Sequence, residues 1–118
     1  MALVLCTGTD DVLITTRKLI LEQAGHQAVA ARDESELLAA CAEHEFDVAV
    51  IGQNVSANQK RRINAIVRAH CPESKVLELF SPSMGRILED ADDWLEVPAD
   101  IPTDLPRRVY QLANRISK

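Results

Sequence analysis

Two adjacent carboxylates, Asp10 and Asp11, follow a short apolar run and the turn Thr7-Gly8-Thr9. Paired acids beyond a strand are suited to hold a divalent cation, while backbone N–H groups of a turn entering a helix are suited to cradle an anion. The two uses oppose each other here, because the acids would repel the anion the turn would hold. A first helical turn favours negative charge by itself, and that structural use is sufficient for both aspartates. His26, His44 and His70 stand far apart on different segments and do not suggest a metal triad. Cys6, Cys41 and Cys71 are equally dispersed, without a Cys-x-x-Cys pair, so neither a disulfide framework nor a cysteine zinc site is suggested. Three buried, reduced thiols are expected.

Two further charged features stand out. Glu78 interrupts an apolar run, where an unpaired carboxylate would be expensive to bury, so a pair with a basic side chain on a flanking helix is expected, or a position near an edge. Lys60-Arg61-Arg62 with Arg68 gives one helix a basic stripe, read as a solvated face. No aromatic interleaving accompanies it, and nucleic-acid backbone contact is disfavoured.

The elements that must position these residues alternate in kind. Short apolar runs at Leu3 to Thr7, Gln27 to Ala31, Asp47 to Ile51, Lys75 to Phe80 and Asp93 to Val97 are each followed by a stretch punctuated as a helix or turn. Their Val and Leu content is continuous rather than alternating, as in parallel strands covered on both faces. Helices are expected from Asp10 to Ala24, stopping at Gly25, and from about Asp33 to Glu43. Asp33–Glu36 and Ser56–Gln59 have capping-box spacing and open the second and third helices. Pro82 and Gly85 leave a turn or two of helix at Arg86 to Asp90. A last helix after Pro102, capped by Thr103 or Asp104, repeats Leu105, Val109, Leu112 and Ile116 on one face, with Pro106 in its first turn.

A chain of 118 residues, 47% apolar and 26% charged, suits one compact domain spanning 1–118. Its formal charge of -5 repels nucleic acid at long range. No apolar run is long enough to cross a membrane, and Met1 to Cys6 is too short and uncharged for a signal peptide, so a cytoplasmic protein is expected. Right-handed crossovers then give an open parallel sheet with helices on both faces, whose ligands bind beyond the carboxyl ends of the strands.

Four segments carry a family likeness: Leu3-Val4-Leu5-Cys6 with an acidic turn and the Leu21-to-His26 stop, Phe46-Asp47-Val48-Ala49-Val50-Ile51, Lys75-Val76-Leu77-Glu78-Leu79, and Ala91-Asp92-Asp93-Trp94-Leu95-Glu96-Val97-Pro98. Over nearly its whole length the chain resembles a bacterial response-regulator receiver domain. The resemblance implies a flavodoxin-like, CheY-like three-layer α/β/α sandwich with a five-stranded parallel sheet in order 2-1-3-4-5. Receiver chemistry needs an aspartate nucleophile, two acids for Mg²⁺, a hydroxyl and a lysine. At the phosphoacceptor position, five residues beyond Asp47, stands Gly52, which has no side-chain oxygen. The acid pair falls on Gly8 and Thr9 counted back from Gly25, or on Thr7 and Gly8 counted forward from the strand. The hydroxyl position falls on Phe80, beside Ser81, and the lysine position on Val97, a change toward a drier pocket. Pro98 matches a proline whose peptide bond is typically cis, and Trp94 occupies the aromatic switch position.

Nine residues separate Ser81 from Ala91, against about five more in the family pattern, so a shortened fourth helix is expected. The docking face built from that helix, the fifth strand and the last helix should be remodelled with it. The resemblance and its losses imply a pseudo-receiver in two-component signal transduction, acting through protein–protein interaction, with no phosphorylation, metal, cofactor or enzymatic activity. Its partner is an unidentified signalling protein, a homodimer remaining open. The alternative reading is a small-molecule or nucleotide sensor using the altered strand-end pocket. An enzyme lacks support, since no nucleophile–base pair or phosphate-binding glycine loop is found.

Overall fold

The computed structural model describes residues 2–98 and 103–114. In chain order the elements are β1 (Leu3–Thr7), α1 (Asp11–Gln23), β2 (Gln27–Ala31), α2 (Glu34–Glu43), β3 (Val48–Ile51), α3 (Ala57–His70), β4 (Lys75–Phe80), β5 (Asp93–Glu96) and α4 (Asp104–Ala113). The strands form one parallel sheet in the order β2-β1-β3-β4-β5, the flavodoxin-like arrangement expected. Each strand sends alternate residues to opposite faces. Val4, Cys6, Val48, Val50, Leu77 and Leu79 join residues of α1 and α4 in one core, while Leu5, Ala49, Ile51 and Val76 join α2 and α3 in the other. Both faces are buried, which is why the strand sequences run apolar without alternation.

Local chemistry sets the helix ends. Asp10 caps α1, its carboxylate accepting from the N–H groups of Val12 and Leu13 at 3.0 and 3.2 Å. Gly25, at φ +94°, lets the chain leave α1 while the His26 N–H donates back to the Leu21 carbonyl at 3.0 Å. Ser56 and Gln59 form a reciprocal capping box on α3. At α2 the box is only half formed. Asp33 accepts from the Glu36 N–H at 2.8 Å, but the Glu36 carboxylate turns to the Arg32 N–H at 2.7 Å. In α4, Leu105, Val109 and Leu112 face the core and Thr103 makes no side-chain cap bond; Pro102 and Ile116 lie outside the described residues.

Between β4 and β5 the structure departs from the sequence reading. No helix forms in residues 81–92, where a shortened one was expected. The reason is Glu78, fully buried on the α3 side of the sheet, whose carboxylate accepts from the N–H groups of Ile87 and Leu88 at 2.9 and 2.8 Å. Those donors are thereby satisfied without helical geometry. Asn64 donates to Asp90 at 3.0 Å and Arg68 to the Asp90 carbonyl at 2.6 Å, fastening the segment to α3. The Asp92 carboxylate accepts from the Val76 N–H at 2.7 Å and fastens it to β4.

The basic stripe is corrected with it. Lys60 is not solvated: it is 1% exposed, and its Nζ donates to Glu78 at 2.8 Å and to the Leu79 carbonyl at 2.9 Å. It is the flanking-helix base expected for Glu78. Arg62 pairs on the surface with Glu34, and Arg68 reaches Asp90 and Asp92. The cysteines are corrected too, since Cys41 and Cys71 are disulfide-bonded, their Cα atoms 5.7 Å apart, and Cys6 alone is a buried free thiol. Successive crossovers onto one face pack α2 beside α3, bringing together thiols 30 residues apart, a proximity that spacing along the chain does not reveal.

Removing the ammonium while leaving the carboxylate buried should be severe. Lys60→Met leaves a buried carboxylate and Glu78→Gln a buried ammonium, so each is expected to lower unfolding stability by about 3–5 kcal/mol in urea titrations, and the double variant Lys60→Met/Glu78→Gln by clearly less than the two together.

Candidate functional site

The strand ends assemble the site. Thr7 pairs in register with Ile51, and Ile51 with Glu78, so the residues that follow, Gly8, Gly52 and Leu79, lie side by side at the carboxyl edge of the sheet. Gly52 is enclosed. A Cβ there would meet the Thr7 carbonyl oxygen at 2.9 Å and Arg17 Nη1 at 3.1 Å.

Arg17 belongs to the stripe Ile14, Arg17 and Leu21 that α1 buries against the sheet. That spacing, three then four residues, marks one helical face, so the sequence did carry a signal that a charged residue sits on the inner side. The positive charge of Arg17 pointed instead to solvent. From this face the guanidinium passes beside Gly52 and donates to Gln53 Oε1. Burial pulls the Arg17 pKa below its usual value, opposed by the nearby Cys6 and Asp10. The group nonetheless stays a cation at neutral pH. Below it, burial pushes the Cys6 thiol up to about 12, against the pull of Arg17 and Lys18.

The acids next to the site have other partners. Asp10 closes the α1 N-terminus with one oxygen and accepts from Asn54 Nδ2 at 3.2 Å with the other; Asp11 pairs with Arg32. Two helix N–H groups suited to cradle an anion after Thr7-Gly8-Thr9, those of Val12 and Leu13, are taken by Asp10 itself. Among the described residues, no cluster of three His, Cys, Asp or Glu side chains is placed to hold a metal.

The five positions carried over from receivers do not share one pocket. Gly8 and Thr9 open onto a cavity of about 270 Å³ between α2 and α3, also lined by Arg32 and Arg62. Both arginines are engaged, with Asp11 and Glu34. Val97 and Pro98, joined by a cis peptide bond, line a second cavity of about 320 Å³ between α1 and α4, into which Arg17 and Gln53 face. Gly52 lies at the Arg17 guanidinium. Phe80 is turned away from the Val97 cavity, its ring centroid 5.5 Å from Arg86 Cζ, so the two apolar replacements do not jointly dry one crevice. Trp94 is half-buried, donates Nε1–H to the Leu88 carbonyl at 2.9 Å and carries the same Arg86 cation 4.8 Å from its ring centroid.

No protein-family model matches the chain, and no curated protein matches it in sequence. Solved structures do match. The chemotaxis protein CheY4 of Vibrio cholerae is 22% identical with a TM-score of 0.77, the match covering 95% of this chain and 98% of that one. The receiver domain of the Francisella response regulator 1452 is 22% identical with a TM-score of 0.76 over 98% of each chain. The response regulator TrrA of Thermotoga maritima, solved with Mg²⁺ and BeF, is 18% identical with a TM-score of 0.74, covering 95% of this chain and 99% of its own. The chain therefore has the fold of CheY-like response-regulator receiver domains.

Two measurements follow from the crowding and the buried thiol. Gly52→Ala should lower unfolding stability by about 1–3 kcal/mol, because its Cβ presses on backbone rather than on a flexible side-chain end. Between pH 9 and about 12 the unfolded chain ionises Cys6 while the folded chain keeps it protonated, so the unfolded state binds fewer protons and stability falls as pH rises. The loss should reach roughly 4 kcal/mol across that window and should vanish in Cys6→Ala, read from denaturation at stepped pH.

Proposed function

We propose that this chain is a receiver-type signalling module that acts by protein–protein interaction, without accepting a phosphoryl group on aspartate. One observation carries the reading: Gly52, at the end of β3, has no side-chain oxygen, and the space a Cβ would need is held by the Thr7 carbonyl and the Arg17 guanidinium. The other carried-over positions support it. Gly8 and Thr9 supply no carboxylate, Phe80 no hydroxyl and Val97 no ammonium. Asp10 and Asp11, the nearest acids, have separate partners.

The absence of an acceptor bears on signalling. In receivers a hydroxyl drawn toward phosphate lets the aromatic switch residue move; here Phe80 stands at the hydroxyl position and Trp94 is hydrogen-bonded to Leu88 beneath Arg86. The module therefore presents one surface constitutively and is recognised in that state by a signalling partner, in the cytoplasm, with no cofactor and no catalysis of its own. The segment 81–92 replaces a helix of the usual docking face, so the partner need not be one that reads ordinary receivers.

Treatment with acetyl phosphate or phosphoramidate and Mg²⁺, followed by intact-mass measurement, is expected to leave the mass unchanged. A stoichiometric phosphoryl adduct that hydroxylamine removes would overturn the reading.

A further inference from the structure

The cavity between α1 and α4 contains an imbalance that the interaction role does not use. Its apolar wall is made by Leu13, Ile20, Leu79, Leu95, Val97 and Leu105, and among the described residues its one formal charge is Arg17. Among the described residues no carboxylate lines it. Arg17 is only 9% exposed, and its hydrogen-bond partner among the described residues is a neutral amide, Gln53 Oε1. Asp10 acts on it through space, its own oxygens turned to the α1 N-terminus and Asn54. A buried guanidinium normally meets an anion, in a two-pronged geometry that matches a carboxylate. Here the fork is present, and among the described residues no carboxylate is hydrogen-bonded to it.

We propose that this cavity binds a small organic monocarboxylate with an apolar tail, its head on Arg17 and Gln53 and its tail among the leucines and Val97. The volume of about 320 Å³ lies at the lower end of small-ligand sites. Among the described residues a single cation in a largely apolar cavity, with Thr16 and Gln53 its other polar side chains, suits one negative charge. A phosphate would carry more charge and more acceptor oxygens than Arg17 and one amide satisfy. The site is the kind that couples ligand to surface, because α1 and α4 both contribute to its wall. It goes beyond the interaction role and stands whatever the phosphodonor experiment returns.

Calorimetric titration of the full chain with sodium butanoate, hexanoate and octanoate tests it, with 1-octanol as the uncharged control. Octanoate should bind saturably, with affinity rising about fourfold per methylene along the series, and octanol should bind at least tenfold more weakly. Arg17→Met, which keeps the stem and removes the charge, should abolish the preference for carboxylate over alcohol. Gln53→Glu, which provides an internal anion for Arg17, should weaken octanoate at least tenfold while the protein stays folded, so the test does not depend on Arg17→Met folding. Val97→Trp should block the tail. No saturable heat with octanoate, equal binding of octanol, or octanoate affinity unchanged in Gln53→Glu would overturn the proposal.

Discussion

Lys60 and Glu78 are both almost entirely shielded from water and lie 2.8 Å apart, and a charge buried there without its partner would be strongly destabilising. A buried ion pair is about break-even against apolar side chains of the same size, so its importance lies in what it positions. The Lys60 ammonium also ties α3 to the end of β4 through the Leu79 carbonyl, and the Glu78 carboxylate holds the N–H groups of Ile87 and Leu88. Both backbone donors are thereby satisfied from β4 and not from within the segment itself. The pair therefore allows the chain to pass from β4 to β5 in a short irregular segment, and Trp94 takes its orientation from that segment through Leu88.

The opposite side of the sheet carries the second departure. A receiver concentrates acids at the strand ends and neutralises them with a metal; this chain places a protein cation there, Arg17, pressed beside a glycine. Aspartates next to it are drawn into helix capping and a surface pair with Arg32, so they no longer converge on the crevice. The fold survives this exchange because the site lies beyond the strand ends, outside the two apolar layers that hold the sheet together.

Much of this was legible in the residues. Apolar runs of Val and Leu set the five strands, Gly25 and the Ser56–Gln59 spacing set helix ends, and Glu78 announced a buried partner on a flanking helix. What was not legible depended on contacts between distant segments. Lys60 sits in a run of three basic residues and looks like surface until α3 is docked on Glu78. Cys41, in α2, and Cys71, just past the end of α3, meet only because the two helices pack side by side. Pro82 and Gly85 announced a weak helix, but its complete loss follows from a carboxylate arriving from β4. Arg17 had the right spacing to be inward-facing, yet its charge argued for solvent, and only the proximity of Gly52 and Gln53 gives it a place. Phe80 and Val97 are apolar replacements at neighbouring strand ends, but strand alternation turns them to different surroundings.

Among the described residues the strand-end crevice holds a cation of the protein, Arg17, and no cluster of acids placed for a metal. Amide chemical shifts of the labelled chain, recorded during titration with Mg²⁺ and beryllofluoride, address it at the residues concerned. The amide signals of Gly8, Gly52 and Ser81 are expected to stay unshifted throughout. Saturable shifts at these amides, dependent on both reagents together, would contradict this expectation.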